Sequence, residues 1–157
     1  MDTTSNNFTW QTYTFGGDAG GSLLKDVAII NDTDIWAVGT IGLTDSSGKP
    51  DPQPYSLAHW DGTSWTLSKV FYHFIGDSSI LTNMQGILYF DQRDIWFAAG
   101  SIFHFDGQST VLSFDRTQQL AGNQTIDKLW GWKPSQLYGV GHAGGGELNT
   151  TATLGNS

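Results

Sequence analysis

Short apolar runs recur along this chain, and each is followed at a fixed distance by a second run. The second run starts eight residues after the first in three places: Asp26 and Asp34, Gly86 and Asp94, Lys128 and Gln136. Short apolar runs bounded by Asn, Asp and Gly predict β-strands joined by tight turns. The sequence shows no sustained i, i+3, i+4, i+7 pattern of apolar residues, which an amphipathic helix would need.

The second run of each pair belongs to a longer repeat. Asp34–Gly39 reads DIWAVG and is followed by HWDGTSW at His59–Trp65, whereas Asp94–Ala99 reads DIWFAA and is followed by HFDG at His104–Gly107. QLYGVG at Gln136–Gly141 is a looser third copy. Once an insertion in the first copy is set aside, the repeat is about 42–45 residues long, the length of one four-stranded propeller blade. The predicted structural repeat positions are Asp34, Trp36, Asp61, Gly62, Trp65, Asp94, Trp96, Asp106 and Gly107.

The repeat predicts an all-β fold of propeller-type four-stranded blades, with about two and a half blades after a leading outer strand. The predicted boundaries are a disordered tether at 1–7 and a single domain at 8–157, comprising the orphan strand Phe8–Phe15, blade 1 at 22–70, blade 2 at 84–115 and an incomplete blade 3 at 126–157. One weak strand is predicted around Leu148–Leu154. Near-continuous apolar runs suggest inner strands buried on both faces. The predicted core is Val27, Ile29, Ile35, Trp36, Val38, Ile87, Tyr89, Ile95, Trp96, Leu129, Leu137 and Val140.

The insertion in the first copy, Leu43–Pro54, contains three prolines at alternate positions. Proline lacks the amide hydrogen that a sheet ladder needs, so this stretch is predicted to be an extended surface loop. Surface loops on rigid scaffolds often carry recognition. A tolerated insertion without a role remains an equal alternative.

Asp61-Gly62-Thr63-Ser64-Trp65 predicts a hairpin turn, because Asp accepts hydrogen bonds from the amides that follow and Gly adopts a positive φ. With these turns, the chain resembles bacterial extracellular propellers that carry DIWAVG and HWDGTSW repeats. It is also similar to a shortened form of the Asp-box of sialidase-type propellers. The resemblance covers about residues 8–142 and implies a fold rather than an activity. The second copy departs from it, since no Trp follows Asp106-Gly107.

Composition excludes several classes of partner. The net charge is −8, with 15 acidic and 7 basic residues. This balance excludes a phosphate-neutralising groove for nucleic acid and disfavours anionic membranes. No apolar run is long enough for a transmembrane helix. The absence of cysteine removes disulfides and thiolate chemistry. No signal segment is recognisable at the start of the sequence, and an extracellular or cell-envelope location is expected from the resemblance.

No catalytic residue, metal ligand or cofactor is nominated. Glu147 is the sole glutamate, and the aspartates recur at repeat positions, which indicates a structural role. Sialidase chemistry needs an arginine triad, but the chain contains only Arg93 and Arg116. His59 and His104 occupy the same repeat position, and hydrogen-bonded structural histidines are favoured over metal ligands.

These observations predict a non-enzymatic binding or scaffold module whose partner is a protein or a carbohydrate. The resemblance implies that it is a fragment of a cell-envelope or secreted bacterial propeller. Possible ligand contacts are Tyr55, Trp60, Phe71 and Tyr72. Two alternatives stay open: a non-catalytic portion of a carbohydrate-active enzyme, and a truncated chain without an independent function. Open blade faces would expose apolar side chains, so self-association is also expected.

Overall fold

A computed structural model describes residues 9–16, 21–74, 77–120, 124–143 and 149–155. Within these ranges the fold is all-β, apart from one helical turn, α1, at Arg116–Gln119. The strands are β1 Leu23–Asn31, β2 Asp34–Ile41, β3 Tyr55–Trp60, β4 Trp65–Ser68, β5 Val70–Phe74, β6 Asp77–Leu81, β7 Gly86–Asp91, β8 Asp94–Ala99, β9 Ser101–Phe105, β10 Thr110–Phe114, β11 Lys128–Lys133, β12 Gln136–His142 and β13 Asn149–Gly155.

The strands form three sheets. Sheet 1 has the order β1-β2-β3-β4, sheet 2 the order β6-β5-β10-β9-β8-β7, and sheet 3 the order β11-β12-β13. Neighbouring strands are antiparallel, except that β5 and β10 are parallel. One edge strand of each sheet, β1, β7 or β11, is an apolar run recognised in the sequence. Contacts of β7 with both β1 and β11 place these three edge strands side by side.

The spacing of eight residues is confirmed as strand pairing. Opposite partners are Ala28 and Trp36 in sheet 1, Leu88 and Trp96 in sheet 2, and Trp130 and Tyr138 in sheet 3. A bulge precedes the turn in all three hairpins. The predicted weak strand near the end of the sequence is also present, as β13.

The core lies between consecutive sheets. One buried cluster joins sheets 1 and 2 and includes Val38, Leu57, Ile87, Ile95 and Phe97. A second joins sheets 2 and 3 and includes Trp96, Ala98, Ile102, Leu129 and Leu137. Because side chains alternate along a strand, β8 supplies Ile95 and Phe97 to one cluster and Trp96 and Ala98 to the other. Sheet 2 is therefore covered on both faces.

Three predicted core residues are instead exposed, so their assignment to the core was wrong. Val27, Ile29 and Val140 are 50%, 70% and 46% exposed, respectively. The physical reason is that one face of sheet 1 and one face of sheet 3 have no neighbouring sheet among the described residues. Ile35, Trp36 and Tyr89 are half-buried, and the other predicted core residues are buried.

The predicted strand Phe8–Phe15 is also wrong: residues 9–16 are described and form no strand, while Phe8 lies outside the described residues, as does the predicted tether at 1–7. The segment crosses the face of sheet 1, where Tyr13 lies 5.3 Å from Trp60 and Phe15 lies 5.3 Å from Trp65 between ring centroids. Sequence reasoning also missed the β5–β6 hairpin, which extends sheet 2 by two strands beyond the predicted four.

Candidate functional site

A hydrogen-bonded motif joins three side chains in the middle of sheet 1. The Trp36 indole Nε1 donates to Asp34 Oδ1 at 2.6 Å, and His59 Nε2 lies 2.9 Å from the same oxygen. The imidazole of His59 stacks on the indole of Trp36, with centroids 4.2 Å apart. One carboxylate thus fixes two aromatic rings on adjacent strands β2 and β3.

Sheet 2 contains the same motif. Trp96 Nε1 donates to Asp94 Oδ1 at 2.6 Å, His104 Nε2 lies 2.9 Å from that oxygen, and the two rings stack at 4.3 Å. In both motifs the Nε2 nitrogen of the histidine lies within hydrogen-bonding distance of a carboxylate oxygen in its own sheet. This is the structural, hydrogen-bonded role that the repeat position favoured. Sheet 3 has Gln136 and Tyr138 at the equivalent positions.

The hairpin turns at Asp61 and Asp106 are also equivalent. Asp61 Oδ1 accepts hydrogen bonds from the backbone amides of Thr63 and Ser64 at 2.8 Å each. Asp106 accepts from the two corresponding amides, and Gly62 and Gly107 have φ values of +92° and +90°. These backbone hydrogen bonds stabilise the ionised carboxylates and lower the pKa of both aspartates.

A cleft of about 400 Å³ lies between sheets 1 and 2. Its floor is apolar and includes Leu57, Ile95, Phe97 and the stacked rings of Trp36 and His59. The sequence placed Trp36 in the core, but the cleft leaves it half-buried. The cleft is thus built where sheet 2 does not fully cover the motif of sheet 1.

Phe71 and a set of polar side chains form the rim of this cleft. Phe71 is 50% exposed, which makes it an accessible aromatic surface beside an apolar floor. The polar rim consists of Thr66, Ser68, Lys69, His73, Gln108 and Ser109. Lys69 connects β4 to β5, and its Nζ donates a hydrogen bond to Asp51 Oδ2 at 2.7 Å, which fixes the position of this connection. An apolar floor with a few polar rim groups is the usual composition of a small-ligand site.

Of the four ligand contacts predicted from the sequence, the structure places only Phe71 in this cleft. Tyr55 packs on the face of sheet 1 that points away from sheet 2, with Lys69 Nζ 4.9 Å from its ring centroid. Trp60 contacts Tyr13 and donates its indole hydrogen to the carbonyl of Asp32. Tyr72 packs edge-on against Phe103, with centroids 4.8 Å apart. The predicted contacts are therefore dispersed, not assembled into one surface.

The prolines of the Leu43–Pro54 insertion lie outside the named strands, as predicted for a surface loop, although Pro50 forms an isolated bridge with Thr44. Asp45 organises its tip by accepting hydrogen bonds from the hydroxyl of Ser47 and from the amides of Lys49 and Ser47, which lower the pKa of Asp45. None of these loop residues lines the cleft. Their contribution to it is indirect, through the ion pair of Asp51 with Lys69.

A second, polar cleft of about 310 Å³ lies between sheets 2 and 3. It contains Arg116, Thr125, Asp127 and His142. Asp127 accepts a hydrogen bond from Thr125 Oγ1 at 3.1 Å and pairs with His142 Nδ1. Thr125 Oγ1 also lies 3.1 Å from His142 Nδ1, so the hydroxyl and the carboxylate contact the same ring nitrogen. In the linear order of nucleophile, base and acid that acyl transfer uses, they contact opposite nitrogens of the imidazole. Sequence reasoning missed this cluster because none of its residues follows the repeat.

Neither cleft gathers a metal-binding set: among the described residues, no group of three or more His, Asp or Glu side chains could hold a metal ion. In the same part of the chain, no helix has the length and apolarity needed to cross a membrane. No protein-family model, curated protein or solved structure matches this chain.

Proposed function

We propose that this chain is a non-enzymatic binding module, built as part of a propeller of four-stranded blades, and that its ligand occupies the cleft between sheets 1 and 2. The observation that carries the proposal is the cleft itself, where the half-exposed ring of Phe71 stands beside an apolar floor and a polar rim. By resemblance of the repeats, the module belongs to a secreted or cell-envelope bacterial protein.

The propeller arrangement is supported by the repeated hairpins and by the way sheets stack. The edge strands β1, β7 and β11 occupy equivalent positions in the three sheets. Each lies beside its equivalent in the neighbouring sheet, as the inner strands of blades do around an axis. Sheet 2 differs from a four-stranded blade, because the β5–β6 hairpin adds two strands at its outer edge.

The ligand that fits this chemistry best is a carbohydrate. A sugar ring has an apolar face that stacks on an aromatic side chain and a polar edge that exchanges hydrogen bonds. Phe71 offers the first, while Thr66, Gln108 and Ser109 offer hydroxyl and amide groups for the second. The volume of about 400 Å³ lies within the usual range for small-ligand sites.

A glycan microarray, followed by titration calorimetry with the glycan that binds, tests this proposal. We expect Phe71→Ala to weaken binding at least tenfold, because the stacking surface is lost. Trp10→Ala is the matched control, since Trp10 is an exposed aromatic residue that does not line the cleft. Absence of glycan binding, or equal affinity of both variants, would overturn the proposal. Release of reducing ends from the bound glycan by the chain would overturn the non-enzymatic part of the proposal.

A further inference from the structure

Each sheet has two faces that the alternation of side chains keeps distinct. We call the face toward the sheet that comes earlier in the chain the preceding face, and the opposite one the following face. On β7, Ile87 and Tyr89 contribute to the cluster with sheet 1, whereas Leu88 and Phe90 contribute to the cluster with sheet 3. The two sets are thus assigned to opposite faces by their contacts.

The preceding face of sheet 1 is open at its first strand. Val27 corresponds by repeat position to Ile87 and Leu129, which are only 5% and 3% exposed, yet Val27 is 50% exposed. Ile29 is 70% exposed, while its equivalent Tyr89 packs into the first cluster. These apolar positions are buried wherever another sheet lies in front of them.

The following face of sheet 3 is open in the complementary way. Trp130 and Trp132 correspond to Leu88 and Phe90, which pack against sheet 3, but the two tryptophans are 50% and 66% exposed. Their rings lie together, with centroids 3.9 Å apart, so they form one aromatic surface. Val140 on the adjacent strand extends it.

We propose that a second copy of this chain covers both open faces, with the following face of sheet 3 in one copy packed against the preceding face of sheet 1 in the other. The support is quasi-equivalence: the same pairing of faces already occurs twice within the chain, at sheets 1 and 2 and at sheets 2 and 3. An exposed apolar surface of this kind favours association.

Residues 13–15 define the part of sheet 1 that the second copy would contact. Tyr13 and Phe15 cover the outer part of the preceding face by packing on Trp65. Val27 and Ile29, on the first strand, remain free. The first strand of sheet 3 carries Trp130 and Trp132, so the two uncovered surfaces lie at equivalent positions of their sheets.

The contact joins two different surfaces, and is therefore heterologous. Such contacts form a closed ring when the rotation between copies closes and a filament when it does not. Two copies with three sheets each would give a ring within the range of roughly 4–8 blades found in propellers. The proposal does not depend on the ligand cleft.

Sedimentation velocity and native mass spectrometry of the full chain test this arrangement. We expect a mass twice the 17.1 kDa of one chain. Ile29→Glu and Trp132→Glu should each abolish the dimer, because each places a charge in one of the two surfaces. Both side chains are mainly exposed, so the variants should retain the strand signal in circular dichroism and unfold cooperatively.

A mixture of the two variants then distinguishes a head-to-tail contact from a contact of like faces. The Trp132→Glu chain retains an intact sheet 1 surface, and the Ile29→Glu chain retains an intact sheet 3 surface, so the mixture should restore a 1:1 dimer through one interface. Phe71→Ser is the matched control and should remain dimeric. A monomeric wild-type chain, a dimer of either variant alone, or failure of the mixture to associate would overturn the proposal.

Discussion

The motifs of sheets 1 and 2 are the same in their hydrogen bonds and different in their burial. The indole to carboxylate distance is 2.6 Å and the imidazole to carboxylate distance is 2.9 Å in both. Trp96, however, is only 8% exposed, whereas Trp36 is half-buried at the edge of the cleft. The geometry of the motif is therefore set within one sheet, while the neighbouring sheet decides whether it is part of the core or part of an accessible surface.

The largest expected effect comes from removing the two tryptophans. Trp96→Ala should lower the free energy of unfolding by about 3–5 kcal/mol, because it opens a cavity between sheets 2 and 3. Trp36→Ala should cost about half as much, since water already reaches part of that ring. Urea unfolding monitored by circular dichroism measures both. Equal losses of unfolding free energy in the two variants would show that contacts within the sheet, rather than burial by the neighbouring sheet, determine how much the motif stabilises the fold.

Removal of the shared carboxylate should have a smaller effect. Asp94→Ala leaves the indole hydrogen of buried Trp96 without its acceptor, so it should lower the free energy of unfolding by about 2 kcal/mol. Asp34→Ala should cost about 1 kcal/mol, because the cleft admits water to replace the acceptor. Asp32→Ala changes an exposed turn residue and is the control, with an effect within about 0.5 kcal/mol. The same urea titrations apply, and a larger loss for Asp34 than for Asp94 would contradict the comparison.

The smallest expected effect concerns the turn aspartates, which are equivalent in both sheets. Their folded-state pKa values are lowered, so their ionised forms stabilise the fold above the unfolded pKa of about 4, and that stabilisation is lost as the pH falls through the folded values. Asp61→Asn and Asp106→Asn should each flatten the decline of the urea midpoint as the pH falls below about 4. Asn retains a carbonyl acceptor for the turn. If the urea midpoint of both variants fell with acid as steeply as that of the wild-type chain, ionisation of these two aspartates would make no contribution to folding stability.

The pairs β1–β2, β7–β8 and β11–β12 could be predicted from the sequence, because the spacing of eight residues and the turn chemistry are local properties, whereas the β5–β6 hairpin follows no repeat. Packing between sheets could not. Val27 has the same apolar character as Ile87, and only the presence or absence of a neighbouring sheet separates an exposed residue from a buried one. The extended segment at 9–16 alternates as a strand does, yet aromatic contacts with Trp60 and Trp65 hold it without a ladder of backbone hydrogen bonds.

The cleft could be predicted only in part, for a related reason. Phe71 and Tyr72 were both predicted to be aromatic residues outside the core, but Tyr72 points into the core because alternate residues of β5 face opposite ways. Trp36 and His59 were recognised as structural repeat residues. Their second role, as part of the cleft floor, depends on how far sheet 2 extends over them. The local sequence around these residues does not determine how far it extends.

The Asp26 carboxylate has a consequence for the order in which the molecule assembles. One oxygen accepts a hydrogen bond from the amide of Ile87 at 3.0 Å, and the other pairs with the ammonium of Lys128, so a side chain of the first sheet binds the second and the third directly. Arrays of repeats normally couple only nearest neighbours, so their ends unfold independently. Here the Asp26–Lys128 ion pair adds a direct link between the first and third sheets to the coupling between neighbours. That link can form only after synthesis has reached Lys128, so the contacts of the first sheet are completed late, when the last hairpin begins to form.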